Sequence, residues 1–263
     1  MFYSNSLLSL HNTYSSEGDF CPSPKIGKKK KTVKKCETKT KQKKFESTSK
    51  KIKKNANLPD THLQKMSDQA QKQAKFLCLK IETTGLIRKN GGQCAGFKDL
   101  EAHENARLIC LNYAIYDKMA GSKELEKRIL IKPDTFSLID EVNQIHHIGI
   151  EDLKSGIETK EAFKIFLDDV EKVGVMFVYN KKFYNDVLKS EIFRMQEKKM
   201  MSKFRKTKMV CLAQLLKKEF FGRIYKFPEA YSRFMGREMT NENFLENMRE
   251  MVLKLKIINP ILD

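Results

Sequence analysis

Phe76-Leu-Cys-Leu-Lys-Ile-Glu-Thr-Thr-Gly-Leu86 decides the fold. Its first six residues are apolar except Lys80, and the run is short and closed by a Thr-Thr-Gly turn signal. It therefore reads as a β-strand. Asn90-Gly-Gly92 marks a loop after it. Residues 106–117 carry Leu108, Ile109, Leu111, Tyr113 and Ile115 and read as a long strand. Arg128-Ile-Leu-Ile131 reads as a third, ended by Lys132-Pro133. Gly-rich or charged connections make these three an antiparallel meander.

Beyond them the period changes. Residues 159–173 place Ala162, Phe163, Ile165, Phe166, Val170 and Val173 mostly on one helical face. Gly174 stops that helix, and Val175-Met-Phe-Val-Tyr179 reads as a buried strand. Residues 183–200 are helical again, with Val187, Leu188, Ile192, Phe193 and Met195 recurring near period 3.6. Residues 209–221 and 241–257 supply two more helices. The order β-β-β-α-β-α-(short β)-α-α predicts an α/β layered domain with a mixed sheet.

The strands begin only at residue 75, and the charge explains why. The 263-residue chain has a formal net charge of +18, and residues 1–60 carry 15 lysines against five acids. More than half of the excess thus sits in less than a quarter of the chain, which excludes a uniformly basic globule. Between Lys25 and Lys54 the only acids are Glu37 and Glu46, and branched apolar and aromatic residues are nearly missing. Such a segment buries too little surface to offset its ordering entropy. We expect residues 1–74 to be a disordered lysine-rich tail and linker, with 61–73 a linker or short helix, and residues 75–263 to be the folded domain.

The lysines cluster: Lys28, Lys29, Lys30 and Lys31; Lys34 and Lys35; Lys41, Lys43 and Lys44; Lys50, Lys51, Lys53 and Lys54. These clusters are similar to a nuclear localisation signal, and they attract phosphate by counterion release. A solubilising tail is the bland alternative. Lysine without arginine or interleaved aromatics implies phosphate contact rather than base reading. A second basic stretch, Lys198, Lys199, Lys203, Arg205, Lys206 and Lys208, surrounds Phe204. It reads either as an extension of that track, with Arg205 and Lys206 as contacts, or as a solvated loop.

The six cysteines form no CxxC pair, and Cys78 and Cys110 lie in apolar runs, so buried thiols in a reducing compartment are expected. The first eleven residues lack a basic n-region and a long apolar core, and no arginine precedes Arg88. The longest apolar run is too short to span a bilayer. The expectation is a soluble intracellular protein, placed in the nucleus by its tail.

Phe76-Leu-Cys-Leu-Lys-Ile-Glu-Thr-Thr-Gly-Leu86 resembles the first motif of the DnaQ-like (DEDD) 3′–5′ exonucleases, an apolar strand followed by Asp-x-Glu and Thr-Thr-Gly-Leu. Ile129-Leu-Ile-Lys-Pro133 resembles that family's third-strand ending. Gln144-Ile-His-His-Ile148 with Glu151-Asp-Leu153 is similar to its Ile-His-Gly-Ile segment and acidic helix start. Val178-Tyr-Asn-Lys-Lys-Phe183 is similar to its apolar-His-Asn-x-x-Phe-Asp. The resemblance spans residues 75–257. It implies a ribonuclease H-like fold, a mixed five-stranded sheet flanked by helices.

The family's chemistry is two-metal phosphodiester hydrolysis. Four carboxylates hold two divalent ions about 4 Å apart, and a histidine or tyrosine on the last helix activates water. Carried over position by position, the first aspartate falls at Lys80 and the second carboxylate at Glu82. The third falls at Tyr184, with Asp186 roughly 200° further around the helix. Gly236-Arg-Glu-Met-Thr-Asn241 is the best frame for the last motif, putting Gly236 at the general base and Asn241 at the fourth ligand. Glu242 fits with a one-residue slip. The tyrosine version needs Tyr231 paired with an acid at Met235. One carboxylate of four remains, so the resemblance implies a vestigial site with no metal and no other cofactor, in which Glu82 pairs with Lys80 on the same strand face.

His146-His147 has no companion at zinc-ligand spacing beyond Glu151 and reads as structural. The methionines of the C-terminal third read either as core filling or as a partner surface. Phe220-Phe221 and Phe227-Pro-Glu-Ala-Tyr231 read as an aromatic loop that stacks bases or buries a partner's side chains.

The function expected is a pseudo-exonuclease without catalysis, a nucleic-acid-binding accessory or scaffold subunit. It would contact DNA or RNA through phosphates and a catalytic protein partner in a hetero-oligomeric nuclear assembly, for example a DNA adenine methyltransferase complex. The alternative is an active metal-dependent 3′–5′ exonuclease with atypical ligands, using Glu82, Glu242 and Asp186.

Overall fold

The structure, a computed structural model, describes residues 60–90, 93–134, 146–239 and 243–258. These belong to one compact unit, Asn57–Asp263. The tail lysines from Lys28 to Lys54 lie outside the described residues. Helix α1 (Asp60–Gln73) precedes β1 (Lys75–Thr83), so the helical alternative holds for the polar segment.

After the small hairpin β2 (Lys89–Asn90) and β3 (Gln93–Cys94), the meander continues with β4 (Leu108–Asp117) and β5 (Lys123–Leu130). Helices α2 (Ile150–Lys154) and α3 (Thr159–Val170) lead to β6 (Val175–Val178). Then come α4 (Lys181–Arg194), α5 (Lys198–Arg205), β7 (Met209–Cys211), α6 (Leu212–Glu219), α7 (Phe227–Met235) and α8 (Phe244–Ile258). The main sheet has the order β5-β4-β1-β6-β7. β1 pairs antiparallel with β4 and β4 with β5, while β6 is parallel to β1 and β7 parallel to β6. The expected α/β architecture, a mixed five-stranded sheet flanked by helices, is the one observed.

The alternation of β1 divides the core. Leu77, Leu79 and Ile81 face α3, α4 and Phe204 of α5 in one buried cluster. Phe76 and Cys78 face α6, α7 and α8 in another. Buried on both faces except at Lys75 and Lys80, the strand carries a near-continuous apolar run. The methionines serve as core: Met248 and Met251 are wholly buried, Met200 and Met201 pack on the first cluster, and Met235 and Met239 on the second. Cys78 and Cys110 are buried thiols, as expected. Among the described residues no helix is long and apolar enough to cross a membrane.

Three local readings need correction. Met209–Cys211, expected inside a helix, is the short edge strand β7, because those residues extend the sheet beside β6. The basic stretch expected as a track or a solvated loop is largely helix α5, anchored by buried Phe204, so the loop alternative falls. Of the aromatic segment expected as a loop, residues 227–231 are in helix α7, begun by Pro228 in its first turn, with Phe227 and Tyr231 buried in the second cluster, while Phe220 and Phe221 do stand in the turn after α6.

Candidate functional site

The site grows out of the C-terminal end of β1. Lys80 and Glu82 lie two residues apart and share the face that carries Phe76 and Cys78. Lys80 Nζ is 2.5 Å from Glu82 Oε1 and sits 5.2 Å over the Phe244 ring at the start of α8. The second carboxylate oxygen, Oε2, is 2.5 Å from His146 Nδ1. Both oxygens of Glu82 are therefore engaged. Burial pushes the Glu82 pKa up, but His146 and Lys80 outweigh it and hold the carboxyl below its ordinary value.

β6 pairs with β1 only as far as Cys78, which leaves the Ile81 backbone free on that side. Tyr184 fills the gap from the first turn of α4, a helix capped by Asn180, whose side chain accepts from Phe183 N–H. The Tyr184 hydroxyl meets the Ile81 backbone. Burial first, then the nearby Glu82 carboxylate, raises its pKa, so it stays a neutral phenol.

The Thr-Thr-Gly turn is tied down by its own bonds. Thr83 Oγ1 donates to Gly85 O at 2.8 Å and Thr84 Oγ1 to Asn105 O at 3.0 Å, while Thr84 Oγ1 accepts from Arg107 N–H at 2.9 Å. A Cβ on Gly85 would stand 2.7 Å from Asn105 O, so close backbone approach demands the glycine. The turn signature is thus explained by structure alone.

Of the positions carried over from the resemblance, Lys80 pairs with Glu82, and Tyr184 lies near enough for the Glu82 carboxylate to act on its hydroxyl. Gly236 is the C-cap of α7, in the left-handed region at φ 75°, and carries no side chain. Asn241 and Glu242 lie outside the described residues. Asp186 is held by Lys182 at 3.0 Å and by the Asn185 amide at 3.2 Å. Tyr231 donates to Glu250 at 2.5 Å. Arg205 and Lys206 are exposed at the end of α5, in the helical layer opposite the face shared by Lys80 and Glu82.

The described donors do not fit a divalent-ion centre. A hard cation needs several oxygen ligands, and here one carboxylate is shared between an ammonium and an imidazole. Among the described residues no group of three or more His, Cys, Asp or Glu side chains is placed to hold a metal.

Sequence reasoning missed His146 as the partner of Glu82 and Phe244 as the platform under Lys80. Neither contact leaves a local signal, since both residues reach β1 from distant segments.

The electrostatics give a pH dependence. A carboxyl whose folded pKa is depressed contributes stability that is complete above its unfolded pKa, here near 4.5, and lost as pH falls through the lower folded value. Glu82→Gln should therefore be less stable than wild type at pH 7 by about 1–3 kcal/mol. The gap should close well below pH 4.5. Urea unfolding at neutral and acid pH measures it, and an equal gap at both would show that the charge on Glu82 contributes nothing.

Comparison with known proteins places this geometry on a known fold. No protein-family model and no curated protein sequence matches the chain. Among solved structures, it is similar to exonuclease I in complex with an inhibitor, with TM-score 0.55 and 14% identity over 72% of this chain and 42% of that one. It is similar to the nuclease domain of 3′hExo, a DEDDh family member bound to rAMP, with TM-score 0.52 and 9% identity over 71% and 94%. Cell-death related nuclease 4 gives TM-score 0.56 and 10% identity over 72% and 65%. The chain thus spans less than half of the exonuclease I chain and nearly all of the 3′hExo domain. The likeness shows a DnaQ-like exonuclease fold of the ribonuclease H-like class.

Proposed function

We propose that the chain is a pseudo-exonuclease, a nucleic-acid-binding accessory subunit that lacks hydrolytic activity of its own. One observation carries this reading: Glu82, the single matched carboxylate among the described residues, is shared by Lys80 and His146. An ammonium beside it repels the ions that phosphodiester hydrolysis needs. The nuclease fold, and a neighbour whose domain holds rAMP, support nucleic-acid binding. The lysine-rich N-terminal segment adds phosphate contacts and a nuclear address. The subunit works beside a catalytic protein partner in a DNA- or RNA-processing assembly, of which a DNA adenine methyltransferase complex is one example.

The test uses labelled single-stranded DNA and RNA with the full chain in Mg²⁺ or Mn²⁺, beside Glu82→Ala. Binding without shortening is expected. Metal-dependent shortening that Glu82→Ala abolishes would overturn the reading. Purification from its own cells should yield a stable complex that contains a catalytic subunit, and a solitary monomer would count against the accessory role.

A further inference from the structure

We propose that the turn between α6 and α7 is a second nucleic-acid contact, in which an unpaired base stacks on Phe221 while Arg223 and its neighbours hold the phosphates of a single strand. The inference deepens the nucleic-acid reading above and rests on it. Residues 217–226 read Lys-Lys-Glu-Phe-Phe-Gly-Arg-Ile-Tyr-Lys, cations interleaved with aromatics.

The structure turns that pattern into a built surface. Phe221 is 100% exposed, and its backbone lies in the left-handed region at φ 51°, followed by Gly222 at φ 89°. A bulky residue held there costs about 1–3 kcal/mol, and an exposed ring returns none of it by burial. Behind it lies a cleft of about 800 Å³ lined by Phe220, Arg223, Tyr225, Arg233 and Lys254. Three cations and one acid, Glu219, line it; Arg233 pairs with Glu229 at 3.0 Å and Lys254 donates to Phe234 O, which leaves Arg223 as the cation for a phosphate. The guanidinium of Arg223 has no ion-pair partner among the described residues.

The walls are already organised. Phe220 meets Tyr225 edge-on at 5.2 Å, and the Arg233 guanidinium covers Tyr225 at 4.4 Å. Lys254 sits 4.8 Å over Phe234. These contacts fix the platform and leave the Phe221 ring as the free π-face. Aromatic faces beside a cationic groove are what a single strand needs, since every base can stack and every phosphate carries charge.

The second cleft, about 750 Å³ beside α4 and α5, is lined by Phe97 and Phe193 as well as Leu100, Ile192 and Met201, with Arg205 and Lys206 at its edge. Its two rings already meet each other edge-on at 6.1 Å, with Lys189 over Phe97, whereas the Phe221 ring is fully exposed and is the better base platform.

The turn is also connected to the end of β1. Tyr179 Oη donates to Tyr225 O at 2.5 Å, and its ring meets Phe227 at 5.1 Å. Phe227 lies 4.1 Å from Phe244, over which Lys80 sits. A strand captured at Phe221 is therefore a short chain of direct contacts away from the Lys80–Glu82 pair.

Fluorescence anisotropy over a salt series decides the matter, with the full chain, labelled oligo-dT, oligo-U and a duplex of equal length. Phe221→Ala should weaken single-strand binding about tenfold with an unchanged salt slope, and leave duplex binding alone. Arg223→Gln should lower the salt slope by about one. The chain contains no tryptophan, so Phe221→Trp introduces a sole indole. It should restore binding, and its emission should be quenched by oligo-dT, as base stacking requires.

Wild type that binds no nucleic acid would sink this inference together with the proposed function. Wild type that binds while Phe221→Ala binds equally well would overturn this inference alone. Phe221→Ala that keeps nucleic acid but loses a purified protein partner would overturn it in favour of a protein dock.

Discussion

Arg107→Met is expected to cost about 3–5 kcal/mol of unfolding free energy, the largest loss of any single polar substitution considered for this domain. Arg107 and Glu191 are each 2% exposed, with Nε 2.8 Å from Oε1. Nη2 also donates to Asp134 at 3.1 Å, and Glu191 accepts from Leu108 N–H at 3.3 Å. The pair ties α4 to the start of β4, while the Arg107 backbone binds the Thr-Thr-Gly turn. Removing the guanidinium leaves the Glu191 carboxylate buried with one weak donor, and that uncompensated charge sets the magnitude.

A paired replacement, Arg107→Met with Glu191→Leu, removes the desolvation problem from both sides. It should recover most of the loss, because a well-packed apolar pair is often as stable as a buried ion pair. Urea unfolding of the wild type, both single variants and the double variant measures the coupling. A single-variant loss under about 1 kcal/mol would place this pair with surface salt bridges.

Much of the fold was legible because β1, β4, β6 and the α3 stripe are long or strongly patterned, so propensity and packing agree. The misreadings share a cause. Met209–Cys211 merges into the apolar run of α6, and three residues carry no period to separate them. The loop reading of residues 227–231 overlooks Pro228, since a proline in a first turn is a helix start signal. The Lys80–Glu82 pair was readable because strand geometry puts residues two apart on one face. His146 on Glu82 and Glu191 on Arg107 were not, because tertiary folding brings them from distant segments and composition says nothing of register.

Lys80→Asp is the sharper test of what the end of β1 has become. The substitution removes an ammonium 2.5 Å from Glu82 and sets two carboxylates on one strand face. At an effective dielectric near 20 a unit-charge pair at contact is worth about 4 kcal/mol. Lys80 is a third exposed, so the discounted loss should be about 2–3 kcal/mol. The pair of carboxylates then becomes an oxygen-donor site, and Mg²⁺ or Mn²⁺ should recover stability by binding the native state. A hundredfold excess over Kd gives about 2.7 kcal/mol. Lys80→Met separates the effects, since it loses the ammonium but adds no ligand and should show no metal response. Thermal unfolding with and without the ion reads all three proteins. A metal-dependent rise in the wild-type Tm would mean that Glu82 already serves a live centre, with Lys80 swinging aside. No rise in Lys80→Asp would mean that residues 80 and 82 do not converge on one ion, and the alignment of the first motif would fall with it.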